Sequence, residues 1–279
     1  MDQRKKIALV GCSDPLPAHE KADVARLPQL LAAFGAETVV SPHLLAETPA
    51  SPQEKAEALN RAFRDPSVDL IFDVSGGDLA NTTLPFLDWD AIRASRAVYH
   101  GFSDLSTVIN AILAKTGRPA VNWQIRNLLY TDAAAQRAHF ARSVLPGRFD
   151  PADLAPQFLR GGRMQGKIFG GNIRCFLKLA GTPFWPDVTG GILLLESLGG
   201  GAYQMTTALE QLRQMGVFDR VGGILLGTFT AMEEKAQTPT IEALVLGMTP
   251  DRLPVAETRF VGHYPDARAI PLGRTLVIA

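Results

Sequence analysis

The chain has 279 residues, 46% hydrophobic and 20% charged, the composition of an ordinary soluble globular protein long enough to bury its own core. Lys and Arg number 28, as do Asp and Glu, so the formal net charge is +0, with no electrostatic footprint for nucleic acid or an anionic membrane. No apolar run approaches a membrane span, and the basic opening MDQRKKIALVG passes straight into a strand-like run without a signal-peptide core, so a cytoplasmic protein is expected.

Ile7–Val10 is a short β run ended by Gly11, and a loop follows to Pro17. Ala22–Phe34 carries a helical stripe in Val24, Leu27, Leu31 and Phe34, stopped by Gly35, with Pro28 marking a kink or a later start. Glu37–Val40 is a second strand. Ser51-Pro52-Gln53-Glu54 combines an N-cap, a proline at the first helical position and a capping-box glutamate, so a helix should run to about Arg64. Asp69–Val74 is a buried third strand that runs into Ser75-Gly76-Gly77. Trp89–Ser95 is a short helical piece.

Ala97–Gly117 organises the first half. It reads as a short strand, a sharp turn at Gly101–Asp104, and a helix with Leu105, Val108, Ile109, Ile112 and Leu113 on one face, stopped by Gly117 and Pro119. Strands alternating with helices predict a parallel sheet covered on both faces, with ligands beyond the carboxyl ends of its strands. Gly76-Gly77 and Ser103 both follow strands directly and should share that edge.

Asp132–Val144 reads as a polar helix that leaves His139 in solvent. Leu145–Gly166 is rich in Pro, Gly and Arg without sustained periodicity, which divides the chain into an N-terminal α/β domain (1–145), a linker (146–166) and a second domain (167–279). The second domain contains a strand at Gly191–Glu196, the glycine run Gly199–Gly201, and a helix from Tyr203 to Met215 stopped by Gly216. A strand at Val221–Gly227, loop and helix over Met232–Gly247, a β-like Glu257–Val261 and a last strand at Thr275–Ile278 follow. Cys12 and Cys175 lie far apart in or beside apolar runs and read as buried free thiols.

Ser103 stands where the first free N–H groups of a helix open outward, so its hydroxyl is exposed beside donors that suit an oxyanion. That is the logic of a nucleophile elbow, although Leu105 replaces the last glycine of G-x-S-x-G. The ordinary alternative is a helix N-cap. Glu196 ends an apolar strand before a glycine-rich loop, as either a solvated group or a site residue. His263, in Gly262-His263-Tyr264-Pro265, is either structural or catalytic. His100 precedes the Ser103 turn, but strand alternation points it away from the hydroxyl; His19 and His43 fall in loops. No metal-binding spacing occurs, and the glycine-rich segments match neither a dinucleotide fingerprint nor a P-loop, so no metal and no cofactor are expected.

Together these motifs resemble the LD-carboxypeptidase family of serine peptidases, which includes the microcin C immunity peptidases. The resemblance runs through VSGGDLANTTLPFLDWDAI (Val74–Ile92), GFSD around Ser103 and GGNI (Gly170–Ile173). It continues through the long block Leu179–Thr230 and closes in GHYPDARAIPLG (Gly262–Gly273). It implies a Rossmann-like N-terminal domain and a smaller β-rich C-terminal α/β domain, in a metal-free cytoplasmic homodimer. It also implies a Ser103–Glu196–His263 triad, with an oxyanion hole from the N–H groups of Asp104, Gly76 and Gly77. The chemistry needs those types: serine is a weak nucleophile until histidine takes its proton, and a carboxylate fixes the imidazole's tautomer.

The family's reference activity removes the terminal D-alanine of murein tetrapeptide, and its immunity branch cuts an aminoacyl group from a nucleotide analogue. The expected function is hydrolysis of a C-terminal L,D-peptide bond in a small murein-type peptide. The alternatives are a peptidyl- or aminoacyl-nucleotide hydrolase and, from another class, a non-catalytic murein-peptide-binding protein. Asp78, Asn172 and Tyr203 are candidates for bordering the substrate. Phe184, Trp185 and Tyr203 are the aromatic side chains available to stack a nucleotide base.

Overall fold

Short apolar runs closed by glycine or proline become strands, and two six-stranded sheets form in a computed structural model that describes residues 4–279. Met1–Gln3 of the basic opening lie outside the described residues. The first sheet contains β1 (Lys6–Val10), β2 (Glu37–Val40), β3 (Leu70–Asp73), β4 (Val98–Gly101) and β5 (Ala120–Asn122). These five are parallel in the order β2-β1-β3-β4-β5. The strand order reverses between β1 and β3, where doubly wound sheets open a ligand crevice.

Helices α1 (Ala18–Ala32), α2 (Pro52–Arg64), α3 (Trp89–Ala94), α4 (Ser106–Thr116) and α5 (Ala133–His139) accompany this sheet. The capping box of α2 forms as expected: Glu54 N–H donates to Ser51 Oγ at 3.3 Å, and Ser51 N–H donates to Glu54 Oε2 at 2.8 Å. Two expectations are corrected. Helix α1 begins at Ala18 and continues through Pro28, so His19 is helical rather than in a loop. His139 is buried, not solvated; its Nε2 accepts the Ala269 N–H at 3.0 Å, and burial pushes its pKa down to about 4. The polar sequence concealed this because the side chains that α5 buries, Gln136 and His139, are themselves polar.

The second sheet contains β6 (Gln157–Arg160), β7 (Met164–Asn172), β8 (Ile192–Ser197), β9 (Gly223–Phe229), β10 (Val255–Glu257) and β12 (Thr275–Ile278). Strands β7, β8, β9 and β10 are parallel, and β12 and β6 close the two edges antiparallel. Helices α6 (Ile173–Leu177), α7 (Ala202–Gln214), α8 (Val217–Arg220), α9 (Thr230–Glu234) and α10 (Ile241–Met248) fill its crossovers. The 146–166 stretch, expected as a linker without elements, holds a 3₁₀ turn at Pro151–Leu154 and the edge strand β6. No residue of β6 is fully buried, so it shows no apolar period. Strand β10 lies earlier than expected and ends at Glu257, with the Thr258 N–H still donating to Leu226 O of β9.

The last segment crosses both sheets. Strand β11 (Ile270–Leu272) pairs antiparallel with β5 of the first sheet before β12 joins the second. One apolar cluster accordingly runs from α2 and α4 through β7, β8, β9 and β10. Cys12 and Cys175 are buried and unpaired, and burial pushes the Cys175 thiol up to about 12, which keeps it protonated. Among the described residues no helix is long and apolar enough to cross a membrane.

Candidate active site

At the end of β4 the chain turns sharply enough that Gly101 has no room for a side chain. A Cβ there would lie 2.6 Å from Leu105 Cβ. Ser103 follows with φ +57°, a left-handed conformation that costs a non-glycine residue on the order of 1 kcal/mol. It does not cap the helix: Leu105 precedes α4, and the serine hydroxyl instead lies 3.1 Å from His263 Nε2.

The start of α4 is fixed against the second sheet. Ser106 Oγ accepts the Asn172 N–H at 3.0 Å, and the Asn110 amide both donates to Gly170 O and accepts from Gly170 N–H. Gly171, at φ +118°, permits this approach, since its Cβ would meet Ser106 Oγ at 2.5 Å.

Strand β8 carries Glu196 into the interior. The residue is 0% exposed, one carboxylate oxygen lies 2.7 Å from His263 Nδ1, and the other has no hydrogen-bond partner among the described residues. The segment bearing His263 closes over it because two glycines leave room. A Cβ on Gly227 would meet Val261 O at 2.3 Å, and one on Gly262, at φ +139°, would meet Thr228 Oγ1 at 1.9 Å. The imidazole rests on Phe102, with ring centroids 4.5 Å apart. Beside a carboxylate, which only accepts, the tautomer that completes both contacts carries its proton on Nδ1 and turns Nε2 to the serine hydroxyl.

Ser103 borders two cavities, one of about 660 Å³ towards Asp14, Gly76, Arg126 and His263, the other of about 800 Å³ towards Asp78, Asn172, Arg174 and Met205. Gly77 and Leu198 border both. The first cavity opens at the strand-order reversal, between the loops after β1 and β3. Asp14 shapes the glycine turn there by accepting the Asp78 and Leu79 N–H groups at 2.9 and 3.0 Å.

Asp78 is ion-paired with Arg174 and Lys178. Asn172 is mostly buried, and its side chain caps α6 by accepting the Cys175 N–H. Tyr203 is not brought to either cavity; it is 88% exposed and borders a separate depression with Gln237 and Thr238. Phe184 and Trp185 are also elsewhere, packed on Trp89 and Phe176 against the apolar core. His100 points inward as strand alternation requires, stacked on Phe72 with its pKa pushed down to about 4 by burial.

Two supports were missed in the sequence. The buried Asp104 carboxylate accepts from Ser13 Oγ at 2.6 Å, Ala80 N–H at 2.9 Å and Lys178 Nζ at 2.5 Å, tying the Ser103 turn to the chain after α6. Gln136, 0% exposed, donates to Pro265 O at 2.8 Å and Ala267 O at 2.9 Å, holding the loop beyond His263. Lys178 offered a weak signal as a cation in an apolar block; Gln136 offered none.

Comparison with known proteins gives a consistent picture. Residues 7–122 match the LD-carboxypeptidase N-terminal domain, and residues 165–278 match the LD-carboxypeptidase C-terminal domain. The murein tetrapeptide carboxypeptidase of Pseudomonas aeruginosa is 29% identical over 239 residues, 81% of this chain and 77% of that one. The microcin C7 self-immunity protein MccF of Escherichia coli is 24% identical over 260 residues, 81% and 75% of the two chains. A structure of MccF in complex with glutamyl sulfamoyl guanosine shares the fold, with a TM-score of 0.87 at 21% identity over 100% of this chain and 94% of that one.

Proposed function

The chain belongs to the LD-carboxypeptidase family, and on that premise we propose that Ser103, His263 and Glu196 act as a triad on the C-terminal L,D-peptide bond of a small murein-type peptide. The enzyme class is that of a serine-type carboxypeptidase, a hydrolase. The observation that carries the proposal is the continuous line of contacts from Ser103 Oγ to His263 Nε2 at 3.1 Å and from His263 Nδ1 to Glu196 Oε2 at 2.7 Å. The left-handed serine supports it, since a protein that only binds gains nothing from holding that strain beside a base.

His263 Nε2 takes the hydroxyl proton as Ser103 Oγ attacks the scissile carbonyl, and Glu196 stabilises the imidazolium. The N–H groups of Asp104 and of the Gly76-Gly77 turn hold the oxyanion. On collapse, His263 gives its proton to the leaving nitrogen, the C-terminal residue departs, and water releases the acyl group by the same steps in reverse. A nucleotide-bearing substrate is the weaker reading, because Phe184 and Trp185 are committed to the core and Tyr203 lies outside both cavities. A cytoplasmic location and a homodimer belong to the same proposal, to be tested by fractionation and light scattering.

The test incubates the wild type and Ser103→Ala with murein tetrapeptide and with an aminoacyl-sulfamoyl adenylate, following products by mass spectrometry. Loss of D-alanine with the wild type only is the expected result. Cleavage of the adenylate alone would move the chain to the immunity activity, and binding of the tetrapeptide without turnover would make it a binding protein.

A further inference from the structure

The two cavities beside Ser103 are not equivalent. A general acid must reach the leaving nitrogen, so the departing residue lies on the side of the serine that the histidine occupies. His263 borders the 660 Å³ cavity and not the 800 Å³ one. The departing residue is therefore placed in the first, and the acyl part of the peptide in the second. A carboxypeptidase must also tell a free terminal carboxylate from a peptide that continues, which calls for a fixed cation on the leaving side.

Arg126 supplies that cation. It borders the first cavity, its side chain is 11% exposed, and its backbone is pinned by an N–H bond to Gln124 Oε1 at 3.3 Å. Its guanidinium is paired with Glu20 through Nη1, while Nε is buried without a hydrogen-bond partner among the described residues. Buried donors without acceptors are costly and rare, and they are explained when a ligand completes them. The other acid of this cavity, Asp14, has one carboxylate oxygen accepting two backbone N–H groups of the glycine turn. The lysine and arginine of the second cavity, Lys178 and Arg174, are paired with Asp104 and Asp78.

We propose that Arg126 is the specificity residue that anchors the free carboxylate of the departing C-terminal residue, one edge of its guanidinium held by Glu20 and the other presented to substrate. This rests on the catalytic reading of Ser103 and His263 given above.

The experiment compares murein tetrapeptide with the same peptide carrying a C-terminal amide, on the wild type, Arg126→Met, Arg126→Lys and Glu20→Gln. The wild type should prefer the free acid by on the order of 100-fold in kcat/KM, the scale of leaving one member of a charge pair unmatched. Arg126→Met should bring that ratio to within a few-fold of one, and Arg126→Lys should restore part of it. Glu20→Gln, which removes the competing carboxylate without touching the arginine, should lower KM for the acid and not for the amide. An arginine that only clamps Glu20 would slow both peptides alike and keep the ratio, overturning the anchor. So would a wild type that cleaves both equally. A wild type that releases neither D-alanine from the acid nor D-alaninamide from the amide would overturn the catalytic reading and the anchor with it.

Discussion

The two regions that meet at the site are built in opposite ways. The Ser103 turn is local: a strand, four residues and a helix place the hydroxyl, and the strain is carried by the backbone of the serine itself. The Glu196–His263 arm is assembled at a distance, from a strand end and a loop 67 residues apart that come together because Gly227 and Gly262 leave room. The proposed nucleophile is thus fixed by secondary structure. The proposed base, His263, is fixed by packing and by long-range bonds such as those from Gln136 to the 265–267 loop. Damage to the first region should remove chemistry and spare the fold, whereas a change in packing in the second should disturb both.

The largest effect separating charge from packing in the second region is expected from Glu196→Gln. The side chain keeps its volume, but the amide no longer fixes the imidazole's tautomer. A fall in kcat of about 10⁴-fold is expected, with the fold intact by circular dichroism. Gly262→Ala tests packing alone. Its Cβ would lie 1.9 Å from Thr228 Oγ1, in a backbone region that L residues rarely adopt. Displacing His263 by even about 1 Å should cost roughly 10²-fold in kcat, with a measurable fall in Tm. If Gly262→Ala lost stability but kept full activity, the arm would not depend on that close approach.

The smallest effect concerns the buried histidines. His100 and His139 have their pKa values pushed to about 4, below the ordinary 6.5, so they are neutral in the folded protein. The unfolded chain binds more protons in this range. The stability they contribute is fully present above pH 6.5 and is lost as pH falls towards 4. Each adds a slope of at most about 1.4 kcal/mol per pH unit. Urea denaturation of the wild type and His139→Gln between pH 7 and pH 5 should show the shallower slope in the variant; equal slopes would mean that His139 is accessible to protons.

The same contrast explains what was legible in the sequence. The order of strands and helices in the first half, the α2 capping box and the Ser103 turn could be read because their signals lie within a few residues of one another. Glu196 and His263 each carried a plausible ordinary reading, and the family resemblance, rather than their own spacing, brought them together. Strand β6 was missed because an edge strand with no fully buried residue has no apolar period. His139 was misplaced because polar residues can be buried wherever a backbone group satisfies them. The return of β11 to the first sheet was not legible, since nothing local to Ile270–Leu272 names its partner β5.

The central claim is that the second region makes Ser103, a poor nucleophile by itself, into a reactive one. Reaction with a fluorophosphonate probe, followed by peptide mapping, measures this without depending on the substrate. The account predicts a single adduct on Ser103 in the wild type that is abolished in His263→Ala. A protein that releases D-alanine from murein tetrapeptide yet carries its adduct on another residue, or reacts at Ser103 equally well without His263, would contradict it.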